Sequence, residues 1–428
     1  MSDITGVILA GGVGTRFLPF VTDKTLFPFL NESLLHRTIK MLTKNGINKI
    51  IIATNGANHA WLQSVINSEF ANTQIILQRQ TEPKGMGDAL LSVRDLLPDK
   101  DILVMNAGDM VAENLLPGLL KKTKDSYAVV TGMVTHSYQP LGYFELEGSN
   151  VIGIQEKPGA ENMPSNVANL VFHYFSDPGK FLELITEASE KSSTDDIYEQ
   201  ALTELMRQHE VQLYRYDGPW QKLKFGYHVL DMSEFFLRQL PDRVQIDPSA
   251  YVADSAILNG PVVIGPRARV YDLAVIQGPA YIGEDSIIGN HALIRNSLIE
   301  RNSVVGYGSE IVRSYVGPEC DLHHVYLGDS VLEKGIHFGF NAHVTNLRFD
   351  RAFVDLQLAE QRLPTDKTKL GALVAQGAEV GANSTIMPGV TLGANSLVYA
   401  GCQVYRPLPD DHTLKNQPDQ TTQKREMA

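Results

Sequence analysis

IGPRARVYDLAVIQGPAYIGEDSIIGNHALI, residues Ile264 to Ile294, places an aliphatic residue at every sixth position: Ile264, Val270, Ile276, Ile282, Ile288 and Ile294. The same spacing extends back through Leu258 and Val252 to Ile246, and returns at Val374, Val380, Ile386, Leu392, Val398 and Val404, often with Gly next. An ordinary amphipathic strand alternates with period two, so a sandwich does not account for the run. Period six over many repeats marks a parallel β-helix, in which each aliphatic enters a stacked core and small residues turn the corners. Between Ile294 and Val374 the steps shorten to five in places, as at Ile294 to Ile299, and a non-repetitive insert covers about 345–369.

The rest of the chain reads differently. Short apolar runs, GVIL from Gly6, KIIIA from Lys49, IILQ from Ile75 and ILVM from Ile102, alternate with helical patterns. Alternating strand and helix predicts a mainly parallel sheet covered on both faces. The expected division is an α/β domain over 1–240, a β-helix over 241–406 and a polar, disordered tail over 407–428.

Composition bounds the function. The 428 residues carry a formal net charge of −12, against a broad nucleic-acid or anionic-membrane surface, while leaving room for one small cationic pocket. Cys320 and Cys402 are too far apart in sequence for a thiolate metal motif or a disulfide framework, which predicts a reducing compartment. With no basic leader and no apolar run of membrane length, the expectation is a cytoplasmic protein.

Strand GVIL leads into Leu9, Ala10, Gly11, Gly12, Val13, Gly14, Thr15 and Arg16. Three glycines in four positions let backbone N–H groups approach an anion, and Arg16 offers a guanidinium fork. Taken alone, such a turn is equally a structural one. Asp109 in NAGDM follows strand ILVM, outside the carboxyl end of a strand, where open α/β sheets bind ligands; its position also suits a helix N-cap.

LAGGVGTRFLPFVTDKTLFPFL resembles the signature of the sugar-1-phosphate nucleotidylyltransferases, with Lys24 at the signature lysine, Asp23 where that family has Pro, and a shortened intervening loop. The resemblance implies a Rossmann-like nucleotidyltransferase fold and attack of a sugar phosphate oxygen on the α-phosphorus of a nucleoside triphosphate, releasing pyrophosphate. It assigns Arg16 and Lys24 to charge neutralisation, and Gln80 and Gly85 in QTEPKGMGDALL to reading the base. UTP or dTTP is favoured, because a Gln amide both donates and accepts. It makes Asp109 a Mg²⁺ ligand. It gives Gly142 in LGYF, Glu156 and Lys157 in IQEKP and Asn169 in NVANLVF to the sugar phosphate, with Val171 replacing the usual Gly. In GPWQKLKFGYHVL, Lys222 stands where the family has its second metal ligand, and a charged lysine cannot ligate a cation; either Lys222 supplies charge in place of part of the ion, or another acid such as Asp217 serves, or the site is a non-catalytic sensor.

The two-domain order resembles bifunctional enzymes that acetylate glucosamine 1-phosphate and uridylylate N-acetylglucosamine 1-phosphate, which carry a left-handed β-helix. DLHHVYLGDSV matches their acetyltransferase motif: Tyr326 to Asp329 align, and either His323 or His324 takes the place of the base. Asn346 in VTNLRFD and Lys367 or Lys369 in DKTKLG match substrate-binding positions, and the resemblance implies acetyl-CoA as co-substrate and a trimer or a multiple of trimers. Two other readings fit the same residues: a non-catalytic regulator that binds sugar nucleotides, and an acyltransferase with an inactive first domain.

Overall fold

The computed structural model describes residues 4–81, 83–148, 150–191 and 194–416. It divides into two compact units. The first is residues 1–15, 23–27 and 32–222; the second is 16–22, 28–31 and 223–428.

In the first unit, strands Thr5–Ala10, Lys49–Thr54, Gln74–Arg79 and Ile102–Asn106 pair in parallel, with Thr5–Ala10 between Lys49–Thr54 and Ile102–Asn106. The apolar runs serve both faces of this sheet. Val7, Leu9, Ile51, Ala53 and Val104 pack against helices Met86–Ser92, Pro178–Lys191 and Ile197–Gln208, whereas Ile8, Ile50, Ile52, Leu103 and Met105 pack against Leu34–Lys44, Gly56–Glu69 and Leu115–Leu120. Burial on both faces is why these strands read as continuous apolar segments. Beyond Ile102–Asn106 the sheet departs from the parallel expectation. Val167–Phe175 pairs antiparallel with it, with Ala128–Val134 and with Gly142–Glu147, making nine strands among the described residues.

The second unit contains three parallel sheets of eight, nine and eight strands, each coil giving one short strand to each. The aliphatics spaced by six enter the core in register: Ile264 beside Ile282, Val270 beside Ile288, and Ile276 beside Ile294. Where the step shortens to five, Ile299 still pairs with Ile282, so the missing residue comes out of the Asn296 corner and not out of the ladder. The corners differ from the small-residue expectation. Leu273, His291, Gly308, His324, Asn341, Asn383 and Gly401 hold the same left-handed corner in successive coils, most of them with a β-carbon.

The insert forms a small hairpin, Leu356–Gln357 against Arg362–Leu363, with Val354, Leu356 and Leu358 buried. Both expected boundaries shift. Helix His228–Leu237 belongs to the second unit, because its Phe236 ring meets Phe29, which in turn meets Tyr315, so the first unit closes at Lys222 and not near 240. Thr413–Leu414 adds a strand to Leu397–Val398, so ladder pairing extends past 406; the remainder of the expected tail, 417–428, lies outside the described residues.

Candidate functional site

In the first unit, the Gly-rich turn leaves strand Thr5–Ala10, and Gly14 adopts a φ of 67°. Gly11 is required sterically: a β-carbon there would lie 2.0 Å from Gln80 Oε1. Gln80 is therefore pressed onto the turn, nearly buried, with its amide nitrogen donating to the Asp88 carboxylate. Gly85 caps helix Met86–Ser92 at a φ of 106°, and a β-carbon there would approach the Asp195 carbonyl to 3.1 Å.

Asn55 and Asn58, which lie in no motif of the sequence, connect this turn to the lysine loop. They form a capping box at the start of helix Gly56–Glu69. Asn55 Nδ2 donates to the Gly12 carbonyl (3.1 Å) and to Asp23 Oδ2 (2.6 Å), while Asn58 Nδ2 donates to the Ala10 carbonyl (2.7 Å). Asp23 also accepts from the Thr25 backbone N–H at 2.8 Å. The residue replacing the family proline thus ties Lys24 to the glycine turn by hydrogen bonds.

Lys24 lies against Gly108, where a β-carbon would come within 3.3 Å of its Nζ. Next in sequence is Asp109, in a short strand, Asp109–Val111, that pairs antiparallel with Trp220–Lys222; Asp109 faces Lys222 directly in the register. Asn106 Nδ2 donates to Asp109 Oδ2 at 3.0 Å. The residue keeps some solvent access while its carboxyl is enclosed by protein atoms. Burial pushes the Asp109 pKa up, and Lys24, Lys222 and donors from Asn106 and Trp220 pull it back. The Lys222 ammonium also sits 5.6 Å from the centre of the Trp220 ring.

This donor set does not suit Mg²⁺. A divalent ion needs oxygen ligands, and Asp109 already faces two ammonium groups and the Asn106 amide. No group of three or more His, Cys, Asp or Glu side chains capable of holding a metal occurs among the described residues. Charges of +2 and +1 about 5 Å apart repel by ~7 kcal/mol at an effective dielectric of about 20. The neighbours of Asp109 thus differ from the metal-holding set that the resemblance implies.

The expected sugar residues converge. Glu156 lies over Gly142, where a β-carbon would sit 3.0 Å from its Oε2, and Lys157 Nζ pairs with Glu156 Oε1 at 2.7 Å. Burial lowers the Lys157 pKa but the bond to Glu156 outweighs it, so the ammonium is held charged. Asn169 is fixed by His173 Nε2 at 2.8 Å, and His173 Nδ1 meets the Tyr198 hydroxyl at 2.9 Å. Burial drops the His173 pKa to about 3, so the ring is neutral at physiological pH. Glu199 was missed in the sequence. It is 6% exposed, its Oε2 has no hydrogen-bond partner, and burial with the charge of Glu156 raises its pKa to about 8.

Arg16 is exposed and is the first residue of the 16–22 segment of the second unit. In that unit, His323 is exposed in the turn after strand Asp321–Leu322. His324 adopts a φ of 53° and stacks on Phe340 at 5.1 Å and Tyr307 at 6.2 Å. Tyr326 and Asn346 line a cavity of about 770 Å³ together with Thr345, Arg348, Met387 and Tyr405. His343, another residue with no signal in the motif, stands beside Tyr326 in the ladder. Asp329 receives a two-pronged bond from Arg313 (both 2.7 Å) and a short one from Asn346 Nδ2. Lys367 pairs with Asp231 at 2.6 Å and does not line the Tyr326 cavity; with Asp329, Arg313 and Lys369 it lines a second cavity of about 650 Å³.

The first unit is a nucleotide-type α/β sheet with a cationic, glycine-lined edge, and the second is a hexapeptide β-helix. Residues 5–222 match the nucleotidyl transferase family, and 261–296 match the bacterial transferase hexapeptide repeats that build left-handed β-helices. The chain belongs to the nucleotidyl transferase family. It is 30% identical over 413 residues to the bifunctional protein GlmU of Methanocaldococcus jannaschii, covering 94% of this chain and 95% of that protein. It is 29% identical over 408 residues to a bifunctional sugar-1-phosphate nucleotidylyltransferase/acetyltransferase of Sulfurisphaera tokodaii, covering 93% and 96%. A solved Bacillus anthracis protein, assigned as a glucose-1-phosphate thymidylyltransferase, shares the fold of the first unit at 17% identity, with a TM-score of 0.50 over 56% of this chain and 96% of its own. No helix among the described residues is long and apolar enough to cross a membrane.

Proposed function

We propose that the first unit transfers a nucleotidyl group from a nucleoside triphosphate, UTP or dTTP, to a sugar 1-phosphate. The sugar phosphate oxygen forms a bond to the α-phosphorus as the bond to the β-phosphate oxygen breaks and pyrophosphate leaves. One observation carries the reading: the glycine turn with Gln80 and the Lys24–Asp109–Lys222 cluster meet at the ends of neighbouring parallel strands, Thr5–Ala10 and Ile102–Asn106. Such a reaction needs positioning and charge neutralisation more than covalent help.

Gln80 offers a donor and an acceptor to a pyrimidine edge. The turn N–H groups and Lys24 neutralise phosphates, and Lys157 holds the sugar phosphate with Glu156, Gly142 and Asn169 shaping the sugar site; for Arg16 a charge-neutralising role is what the family resemblance implies. The magnesium that the family uses then belongs to the substrate, as the magnesium complex of the triphosphate. Pyrophosphate release from a panel of sugar 1-phosphates and all common triphosphates tests the assignment. Release well above an Arg16→Ala control is expected, and none above that control refutes it.

For the second unit we infer acetyl transfer from acetyl-CoA to a hexosamine 1-phosphate. His323 takes the amine proton, because His324 is held in a ring stack at the coil corner. Tyr326 and Asn346 line the acceptor cavity. The hexapeptide repeats and the bifunctional relatives support a cytoplasmic trimer, or a multiple of trimers. Loss of CoA release in His323→Asn, with His324→Asn retaining it, is the expected outcome; the reverse assigns the base to His324.

A further inference from the structure

We propose that Lys222 acts as a built-in cation at Asp109, forming with Lys24 an ammonium pair that binds the triphosphate in place of a protein-held divalent ion. This rests on the nucleotidyl transfer reading for its substrate, but not for its central test. The register puts Lys222 opposite Asp109 across a two-stranded ribbon, so the two side chains leave neighbouring backbone positions. Lys24 lies over Gly108, the residue before Asp109. Asp109 accepts from Asn106 while both ammonium groups act on its carboxylate. A lysine is a point charge suited to phosphate oxygens. The Trp220 ring beneath the Lys222 ammonium restricts its reach toward that edge.

The consequence is a division of labour that separates this chain from an enzyme with a carboxylate pair. A carboxylate pair recruits the metal first and the phosphates through it. Here the phosphates meet fixed ammonium groups directly, and binding of the nucleotide does not wait for the ion.

Two readouts on the full chain test this. Mn²⁺ binding without nucleotide, followed by electron paramagnetic resonance, is expected to show no site at Asp109 in the wild type. Lys222→Asp is expected to create one Mn²⁺ site that Lys222→Asp/Asp109→Asn loses. Equilibrium dialysis of UTP and dTTP in EDTA is expected to show metal-free binding by the wild type. That binding should weaken about tenfold or more in Lys222→Met and be restored in Lys222→Arg. A wild-type Mn²⁺ site abolished by Asp109→Asn overturns the proposal, as does metal-free binding unchanged by Lys222→Met. If Lys222→Asp does not fold, the dialysis series decides alone. If no triphosphate and sugar 1-phosphate pair yields pyrophosphate, the transfer reading fails while both readouts still judge Lys222.

Discussion

Asp109 in the first unit and Asp329 in the second are each surrounded by basic and amide groups, yet they are built for opposite ends. Asp329 is nearly buried, gripped by both prongs of the Arg313 guanidinium and capped by Asn346, so the positive charge is matched to the carboxylate in geometry as well as sign. Asp109 faces two lysines, which cannot form a planar fork with it. A matched pair locks a coil corner; on the proposal above, the lysines beside Asp109 serve an anion. The difference explains why Asn346, expected at a substrate site, is spent on structure at one atom while still lining the 770 Å³ cavity.

The sharpest way to break this contrast is at Lys24. Lys24→Ala removes one ammonium at the transferring phosphates, and pyrophosphate release should fall on the order of 10²- to 10³-fold with thermal stability unchanged. A large drop in melting temperature with activity intact would place Lys24 in the structural class instead. Next comes the ladder. Ile294→Ala empties a fully buried position between Ile276 and Ile311 and should cost about 2–5 kcal/mol in denaturant unfolding. Asp329→Ala should cost less, about 1–3 kcal/mol, because Arg313 remains partly in water after losing its partner. Were Asp329→Ala instead as stable as the wild type, the corner would not be locked by this pair.

The smallest effect expected is in the pH profile. Glu199, with its pKa raised to about 8, binds its proton more tightly in the folded chain than in the unfolded one. Its contribution to stability is therefore complete below the ordinary carboxylate range and is lost as pH rises from there through about 8. Melting temperatures between pH 5 and 9 should fall for the wild type and flatten in Glu199→Gln. Parallel curves for the two would remove Glu199 from the sugar pocket's charge balance.

Periodic information was legible in the sequence and pairwise information was not. Steps of six located the coils because every core position obeys the same spacing, and even the five-residue step at Ile294 to Ile299 marked a real shortened corner. The glycine turn, Gln80, Lys24 and Asp109 were legible because they lie in short contiguous motifs. Lys222 was visible as a misfit, but only the antiparallel register showed which residue it faces. Glu199 carried no signal at all, since its shifted proton affinity comes first from burial in the folded chain and then from Glu156, more than forty positions earlier. Lys367 was misplaced for the same reason: its partner Asp231 comes from a helix that the sequence assigned to the other domain.

The central claim is that the lysine-flanked Asp109 site joins a nucleotide to a sugar phosphate. Phosphorus-31 NMR of the full chain with magnesium, UTP or dTTP and a panel of sugar 1-phosphates tests it most directly. Paired resonances of a sugar diphosphonucleoside are expected to grow with an equal amount of pyrophosphate, and to be absent in Lys24→Ala. Unchanged triphosphate across the whole panel would contradict it.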